Sequence, residues 1–295
     1  MRKLKLFKRM LSLLLASAML ISMTACNNKS SKDKKGSSEF NLSEAKEISN
    51  YYDSKDLGIP DGIDYLSSIQ SVNEKLYMYG MSVADMNMAE FYKLDTNNKS
   101  IEQFKLEKST FPTAISYNGG KFYTTSFDEE SGAVVYVHGA DKKCQQTIKI
   151  SDNSDTVVYG LSSDEKGNLY VLTLSSKGMS FTSELIEFDV NGKEIKRINL
   201  GDTCGKGSGG VSLYQILQND KEGNIYTARL DVNIMTGDIS NTIIYKLNSA
   251  LEKQYEISDL TDIGQLTNFF VSPNGNLMVT GTDDTMKTCY VNEIN

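Results

Sequence analysis

Three aspartates could supply acid–base chemistry near the centre of this protein. Asp64, Asp155 and Asp262 each lie at the start of a segment that we interpret as the innermost strand of a repeated β-unit. Carboxylates that converge on a central channel can hydrolyse glycosidic bonds, and their separation sets the stereochemical outcome. Aspartates also cap turns at such positions, and the sequence has no tryptophan to stack on a sugar ring. We therefore predict a non-catalytic protein and keep a surface glycosidase as the alternative.

The histidine and cysteine residues argue against other catalytic or metal chemistry. His138 is the only histidine, which excludes a multi-histidine metal site and a Ser/His/Asp relay with a spare base. We expect it to be a packed or edge residue. Cys144, Cys204 and Cys289 show no C-x-x-C spacing, so at most one disulfide can form among them and one thiol stays free. We expect unpaired structural cysteines, no cofactor and no metal.

Two kinds of motif begin like ligand-binding loops. Residues 205–210 read GKGSGG, but a phosphate loop needs GxxxxGK[ST] between a strand and a helix. Here Gly207 follows the lysine, and residues 211–216 are predicted to be a strand, so we expect a flexible connecting loop. Residues 189–192 and 95–98 begin like calcium loops without the later glutamate, and we predict hairpin turns.

Tyrosine, aspartate and methionine side chains are the candidates for ligand contact. We predict that an unknown sugar, peptide or protein ligand is bound by Tyr65, Tyr159, Tyr214, Asp64 and Asp155. A loop rich in methionine could accept an adaptable apolar partner, and it contains Met81, Met86 and Met88. Ordinary core packing explains the tyrosines and methionines equally well, and this alternative stays open.

The N-terminus is predicted to be an export signal. Residues 2–9 are basic, and the apolar run that follows, residues 10–23, is too short to span the ~30 Å hydrocarbon core of a bilayer. The run ends in Met23-Thr24-Ala25-Cys26, which resembles the lipobox of bacterial lipoproteins. The resemblance implies that residues 1–25 are removed and that Cys26 carries the lipid, with an ordinary signal peptide as the alternative. The implied location is the outer face of the cytoplasmic membrane, in a Gram-positive cell.

The rest of the chain is acidic. Of 295 residues, 31 are Lys or Arg and 38 are Asp or Glu; the first 25 residues hold five bases and no acid, which leaves 26 basic and 38 acidic residues and a charge of −12. Such a chain is not expected to bind nucleic acid. Residues 26–40 form the lipidated cysteine and a tether, because 27–38 contain no apolar side chain to bury.

A turn followed by a short apolar strand occurs five times in residues 41–295. The steps between equivalent positions are 46, 47, 56 and 52 residues, for the anchors Leu76, Phe122, Leu169, Ile225 and Leu277. We expect side chains to cap these turns and glycines to supply a positive φ, at Asp164, Asp220, Gly167, Gly223 and Gly275. Regular spacing of short strands with turn signals predicts an all-β array such as a propeller.

Two further strands recur in each unit. A third strand is predicted at residues 90–95, 134–138, 185–189, 243–248 and 289–294. An outer strand is predicted at residues 101–106, 146–150, 194–200 and 253–257. Each unit is therefore predicted to be a four-stranded antiparallel sheet, which is one blade of a β-propeller, and the direct count gives five blades.

The fifth unit lacks an outer strand of its own. Only 18 residues follow Leu277, whereas 25 residues separate Leu76 from the outer strand of the first unit. Residues 45–52 resemble the other outer strands, and we predict that they pair with residues 288–294 and close the ring, because open β-edges are sticky. The alternative is an incomplete propeller left by truncation of a longer gene.

The turn sequence Asp-x-x-Gly-Asn-Leu/Ile-Tyr resembles that of NHL and gluconolactonase-like propellers. Lipobox, tether and propeller together are similar to the N-terminal region of Gram-positive extracellular solute-binding lipoproteins of ABC transporters, in which a two-lobed binding domain follows. The resemblance implies a link to solute uptake, without transport itself, because no such lobe follows here. We predict a membrane-anchored, non-catalytic binding or protein-interaction module; a truncated remnant of a solute-binding lipoprotein is a further alternative.

Overall fold

The part of the protein that the structure describes consists almost entirely of antiparallel β-sheet. The computed structural model describes residues 65–72, 75–81, 89–95, 97–98, 100–109, 112–128, 132–153, 155–177, 180–207, 210–233, 235–236, 239–258, 265–271, 277–282 and 289–294. The first sheet comprises β1 (Tyr65–Val72), β2 (Lys75–Met81), β3 (Ala89–Asp95) and β4 (Ile101–Phe104). The second comprises β5 (Ile115–Asn118), β6 (Lys121–Asp128), β7 (Gly132–His138) and β8 (Cys144–Ser151).

The remaining sheets repeat the same strand order. The third comprises β9 (Thr156–Ser163), β10 (Leu169–Lys177), β11 (Ser180–Phe188) and β12 (Glu194–Asn199). The fourth comprises β13 (Val211–Asn219), β14 (Ile225–Val232), β15 (Ile239–Leu247) and β16 (Lys253–Ile257). Another sheet has three strands within the described residues, β17 (Gln265–Val271), β18 (Leu277–Thr282) and β19 (Cys289–Ile294).

The sheets are arranged as the blades of a propeller. The first strand of each sheet contacts the first strand of the next, and β17 contacts both β13 and β1. The first strands therefore line the centre, and the last strands lie at the periphery. The predicted all-β propeller with four-stranded antiparallel blades is confirmed for four blades. The strand predicted to complete a fifth, residues 45–52, lies outside the described residues.

The predicted strands are present, with corrections at some ends: β4 ends at Phe104 rather than at residue 106, and β11 and β15 begin at Ser180 and Ile239, five and four residues earlier than predicted. The third-strand and outer-strand segments fall on β3, β7, β11, β15 and β19 and on β4, β8, β12 and β16. The outer strand predicted at 194–200 ends at Asn199, because Leu200–Thr203 form a short helix, α1. The Asn199 side chain caps this helix by accepting a 2.9 Å hydrogen bond from the Gly201 N–H. Within the described residues, no helix has the length and apolar character needed to cross a bilayer.

The repeated turn has the predicted chemistry. Asp220 Oδ1 accepts backbone N–H groups from Glu222 at 3.0 Å and Asn224 at 2.8 Å. Gly223 has φ +81°, in the left-handed region that favours glycine. Asp164 and Gly167 repeat this arrangement in the third blade, where Gly167 has φ +86°. The predicted caps and glycines are therefore confirmed at these two turns, whereas Gly275 lies outside the described residues.

The core consists of apolar layers between successive sheets. β14 is buried on both faces along its whole length, because its side chains pack into two different apolar layers. The layer between the third and fourth blades includes Leu172, Leu185, Tyr214 and Ile243. Burial of apolar area at about 25 cal/mol per Å² is the main favourable contribution of such layers. This packing fixes the positions of the strand ends, which the connecting loops join.

Candidate binding site at the mouth face

The two ends of the propeller differ in what they carry. We call the end where the first strands begin the mouth face; Asp155 and Lys177 lie there in the third blade, and the loop of residues 200–210 leads into the fourth. The opposite end, the turn face, carries the hairpin turns at residues 164–168 and 220–224. Loops at the mouth face join neighbouring blades, so they are held by rigid elements on both sides.

The predicted ligand residues have different environments. Asp155 is exposed just before β9, and its N–H donates a 3.0 Å hydrogen bond to Asn153 Oδ1. Tyr159 is half-buried against the layer between the third and fourth blades, and burial raises the pKa of its hydroxyl to about 12. Tyr65 begins β1, with its side chain outside the described residues. Asp64 lies outside them altogether, as does Asp262.

Tyr214 belongs to the core. Its side chain is 2% exposed. The hydroxyl donates to the backbone carbonyl of Gly205 at 2.8 Å, and the carbonyl oxygen of Leu200 also lies 3.2 Å from it. The side chain fastens the connecting loop to β13; its predicted contact with a ligand stays a prediction.

A buried ion pair holds the same loop from the second strand of the blade. Arg229 and Asp231 are 7% and 4% exposed and lie two residues apart on one face of β14. Arg229 Nε lies 3.1 Å from Asp231 Oδ1, an ion-pair distance without hydrogen-bond alignment. Its Nη1 donates to Gly205 O at 3.0 Å, and the guanidinium lies 5.5 Å from the centroid of the Tyr245 ring. The cation therefore bridges the blade and the loop.

Ser212 connects the ion pair to the far end of the loop. Its hydroxyl accepts the Gly207 N–H at 2.8 Å and donates to Asp231 Oδ1 at 2.9 Å. Asn241 Nδ2 lies 3.4 Å from Asp231 Oδ2. A Cβ on Gly207 would lie 2.1 Å from Asp231 Oδ1, so only glycine fits there. We call Ser212, Tyr214, Arg229 and Asp231 the loop clamp.

The loop clamp positions the connecting loop. Both oxygens of the buried Asp231 carboxylate have cationic or hydrogen-bonding neighbours within the protein. The clamp residues lie beneath the connecting loop, and the loop is exposed to solvent at Asp202 and Lys206. Four exposed charged side chains, which we call the charged rim, lie at the mouth face of these two blades: Asp155, Lys177, Asp202 and Lys206.

His138 is a packed residue, as predicted. It is fully buried at the end of β7. Its Nε2 lies 2.7 Å from Glu107 O and 3.4 Å from Ser109 Oγ, so the ring holds the segment that leads into the second blade. Burial disfavours the imidazolium and lowers the pKa of His138.

The cysteines and the loop motifs have structural roles. Cys144 and Cys204 are free thiols, which confirms the prediction for these two. Burial raises the pKa of the Cys204 thiol to about 12, so it is not a reactive thiolate. Residues 189–192 form a hairpin turn in which Asp189 Oδ1 accepts two backbone N–H groups. The 205–210 segment precedes β13, as expected, but α1 and the clamp hold the loop that was predicted to be flexible.

No cluster of three or more metal-ligating side chains occurs among the residues that the structure describes. Of the methionine loop, Met81 ends β2, and Met86 and Met88 lie outside those residues. The loop clamp was not predicted from the sequence. Its one signal is the alternation of β14, which places an arginine and an aspartate on the same face of a strand that is otherwise apolar.

Comparisons with known proteins add nothing on function. No protein-family model matches the chain, and no curated protein matches it. A protein of unknown function from Bacteroides caccae aligns with a TM-score of 0.42 and 12% identity over 66% of this chain and 62% of its own length. A member of the DUF4221 family from Bacteroides vulgatus aligns with a TM-score of 0.44 and 9% identity, over 87% of this chain and 98% of that chain. A chain of a Mitotic Checkpoint Complex structure aligns with a TM-score of 0.44 and 12% identity, over 90% of this chain and 96% of that chain.

Proposed function

We propose that this protein is a lipid-anchored β-propeller at the outer face of a bacterial cytoplasmic membrane, where it binds a sugar, peptide or protein ligand without catalysis. The binding surface is the mouth face of the third and fourth blades. A role in solute uptake would follow if that ligand is a nutrient. We include in this proposal a fifth blade completed by residues 45–52 beside β19.

One observation carries the binding proposal: a buried ion pair fixes a loop that exposes charged side chains. Asp202 and Lys206 are both exposed on the loop, while Arg229 and Tyr214 hold its backbone from below. Side chains on a loop that is already ordered lose less conformational entropy when they meet a ligand. Opposite charges on the same rim suit a ligand with polar or zwitterionic groups.

A screen on glycan and peptide arrays tests this surface. The full chain should retain specific binders, and the double variant Asp202→Asn with Lys206→Gln should lose at least about tenfold in affinity, the equivalent of roughly 1.4 kcal/mol. The matched control changes the same residue types on the turn face, Asp141→Asn with Lys143→Gln, which are also exposed. Equal affinity for both double variants would refute the rim as the binding surface.

The anchor proposal depends on Cys26 and the segment before it. The basic residues, the short apolar run and the small residue before Cys26 provide what a lipoprotein signal requires. A lipid with more than one acyl chain on that cysteine would give stable attachment. Cys26→Ala should abolish labelling with radioactive palmitate and release the protein into the medium. Cys144→Ala serves as the control that keeps both labelling and membrane attachment.

The absence of catalysis is tested separately with Asp155. A panel of glycan substrates should show no turnover above background for the wild-type chain, and Asp155→Asn and Asp64→Asn should behave identically. Hydrolysis by the wild type that disappears in either variant would instead support the glycosidase.

A further inference from the structure

The first strands of neighbouring blades are joined by a hydrogen bond at a repeated pair of positions, made in each case by a side chain of the earlier blade. In β5, Ser116 lies opposite Tyr123 of the same blade. In β9, Ser163 lies opposite Leu169, one position nearer the turn face. The two hydroxyls form a buried hydrogen bond of 2.9 Å between the second and third blades. We call the position of Ser116 the donor-blade position and the position of Ser163 the next-blade position. The word donor here denotes the earlier of the two blades in the chain, and not the donor of the hydrogen bond.

The same positions are joined between the first and second blades. Gln70 lies opposite Tyr77, so it occupies the donor-blade position of β1. Tyr117 lies opposite Phe122 and occupies the next-blade position of β5. The Gln70 side-chain oxygen accepts the Tyr117 N–H. Register rather than residue type therefore sets this contact, since a glutamine and a serine both make it.

Between the third and fourth blades the same positions hold Ser162 and Asn219. Ser162 lies opposite Tyr170, and Asn219 lies opposite Ile225, so both match the positions already described. The strands that carry them, β9 and β13, contact each other. Ser162 is 1% exposed, yet its hydroxyl has no hydrogen-bond partner among the described residues, and neither has Oδ1 or Nδ2 of Asn219, which are also buried.

We propose that one ordered water molecule is bound at this position and bridges Ser162 Oγ to the Asn219 side-chain amide. Buried polar atoms without hydrogen-bond partners are costly, so an occupant that pairs with them is strongly favoured. Buried waters commonly make about three hydrogen bonds to such groups. The site lies near the turn-face end of β9 and β13, away from the charged rim.

The chemistry of the three atoms selects water over a cation. Asn219 offers an acceptor at Oδ1 and a donor at Nδ2, and the Ser162 hydroxyl can act as either. A sodium or potassium ion would use the two oxygens and leave the Nδ2 hydrogens unpaired. Water both donates and accepts, so it can pair with the Ser162 hydroxyl and with whichever Asn219 amide atom faces it.

A crystal structure of the full chain, at a resolution that shows ordered solvent, tests the site. A peak should lie about 2.7–3.2 Å from Ser162 Oγ and from one Asn219 amide atom. Asn219→Ser should remove the peak and give a direct hydroxyl–hydroxyl bond like that of Ser116 and Ser163. In oxygen-17 relaxation dispersion, this variant should hold one long-lived water fewer than the wild type.

The reciprocal variant is Ser163→Asn, which places the same amide at the equivalent position between the second and third blades. It should gain a water beside Ser116. Two results would overturn the proposal: a direct hydrogen bond between Ser162 and Asn219 with no density between them, or an anomalous signal there after rubidium soaking, which would indicate a cation. If a variant does not fold, the wild-type density decides alone.

Discussion

The hydroxyl of Tyr226 donates a 3.1 Å hydrogen bond to Asp220 Oδ2, six residues earlier in the chain. The same oxygen accepts a 2.7 Å hydrogen bond from Nδ2 of Asn224, while Oδ1 accepts one from the backbone N–H of Asn224. Asp164 and Tyr170 repeat the relationship in the third blade at 3.4 Å. The aspartate, asparagine and tyrosine of the repeated motif are therefore one hydrogen-bonded unit, which ties each turn to the strand that follows it.

Replacement of the two partners should have unequal effects. Tyr226→Phe removes one hydrogen bond and should lower the free energy of unfolding by about 1 kcal/mol, whereas Asp220→Ala leaves several donors unpaired and should lower it by about 3 kcal/mol. Urea denaturation of the two single variants and the double variant measures their coupling. Tyr123→Phe is the control, since the turn before Tyr123 contains no aspartate. A Tyr226→Phe effect no larger than that of the control would contradict the unit.

Gly223 allows a separate test of the turn. A Cβ there would meet only Ser249 Cβ, at 3.8 Å, so Gly223→Ala adds almost no clash. It still forces a residue with a Cβ to φ +81°, and we expect a loss of about 1 kcal/mol. Glu222→Ala in the same turn should change the free energy of unfolding by less than about 0.5 kcal/mol. Equal effects of the two substitutions would show that φ is not the constraint.

The blades could be predicted from the sequence because their signals are local. Alternating apolar residues give a strand period of two, and Asp164 with Gly167 marks where a strand must reverse. Each of these signals lies within a dozen residues, so the repeat locates the third strands and the four described outer strands, although some of their ends differ by up to five residues. The end of β12 was misplaced by one residue because Asn199 caps a helix that no periodic pattern announces.

The candidate site was harder to predict because it depends on contacts between distant residues. Tyr214 was chosen as a ligand candidate from its place near the start of a first strand, and no signal in the sequence indicates that its hydroxyl contacts Gly205, nine residues earlier. Arg229 contacts that loop across 24 residues of sequence. Register shifts inside the first strands, such as that at Tyr159, also depend on pairing with the second strand rather than on composition.

The stability of the protein should depend on pH through His138. Its pKa is lowered in the folded state, so below the ordinary histidine pKa of about 6.5 the unfolded chain binds a proton that the folded chain resists. The free energy of unfolding should therefore fall as the pH is lowered through about 6.5 and reach its plateau above that value. Urea denaturation between about pH 5.5 and 7.5 measures the slope.

His138→Gln provides the control for this pH dependence. Glutamine can still donate to Glu107 O but does not titrate, so the slope should flatten even if the variant is less stable overall. Glu187, whose pKa burial raises, titrates in the opposite sense, so it cannot produce a slope of the wild-type sign. Because His138 is the only histidine, a slope that persists in the variant would show that another group is responsible.

The loop clamp should be sensitive to loss of its cation. Arg229→Met leaves the Asp231 carboxylate buried without its ion-pair partner, and we expect the free energy of unfolding to fall by about 3–5 kcal/mol. Addition of Asp231→Asn removes the buried charge and should restore part of that loss. In hydrogen exchange, amides of residues 201–207 should exchange faster in Arg229→Met, because Gly205 loses its contact with the blade.

Arg197 is the matched control for the clamp. It forms ion pairs with Glu184 at 2.7 Å and Glu194 at 2.8 Å, but it lies on the outer strand and is 36% exposed. Arg197→Met should cost less than about 1 kcal/mol, since solvent screens exposed pairs. A similar loss for both arginine variants would mean that burial does not set the strength of the Arg229 pair.

The outer edge of β19 offers a test of how the propeller is completed. In each of the four complete blades the third strand pairs with a fourth, whereas β19 pairs only with β18 among the described residues. If residues 45–52 supply the missing strand, their deletion should remove about 3 kcal/mol and lower Tm by roughly 6–12 °C. It should also promote concentration-dependent association through the exposed edge, measured by light scattering. Deletion of residues 27–38, which shortens only the predicted tether, should leave Tm unchanged. Equal melting of both deletion variants would show that the segment does not pair with β19.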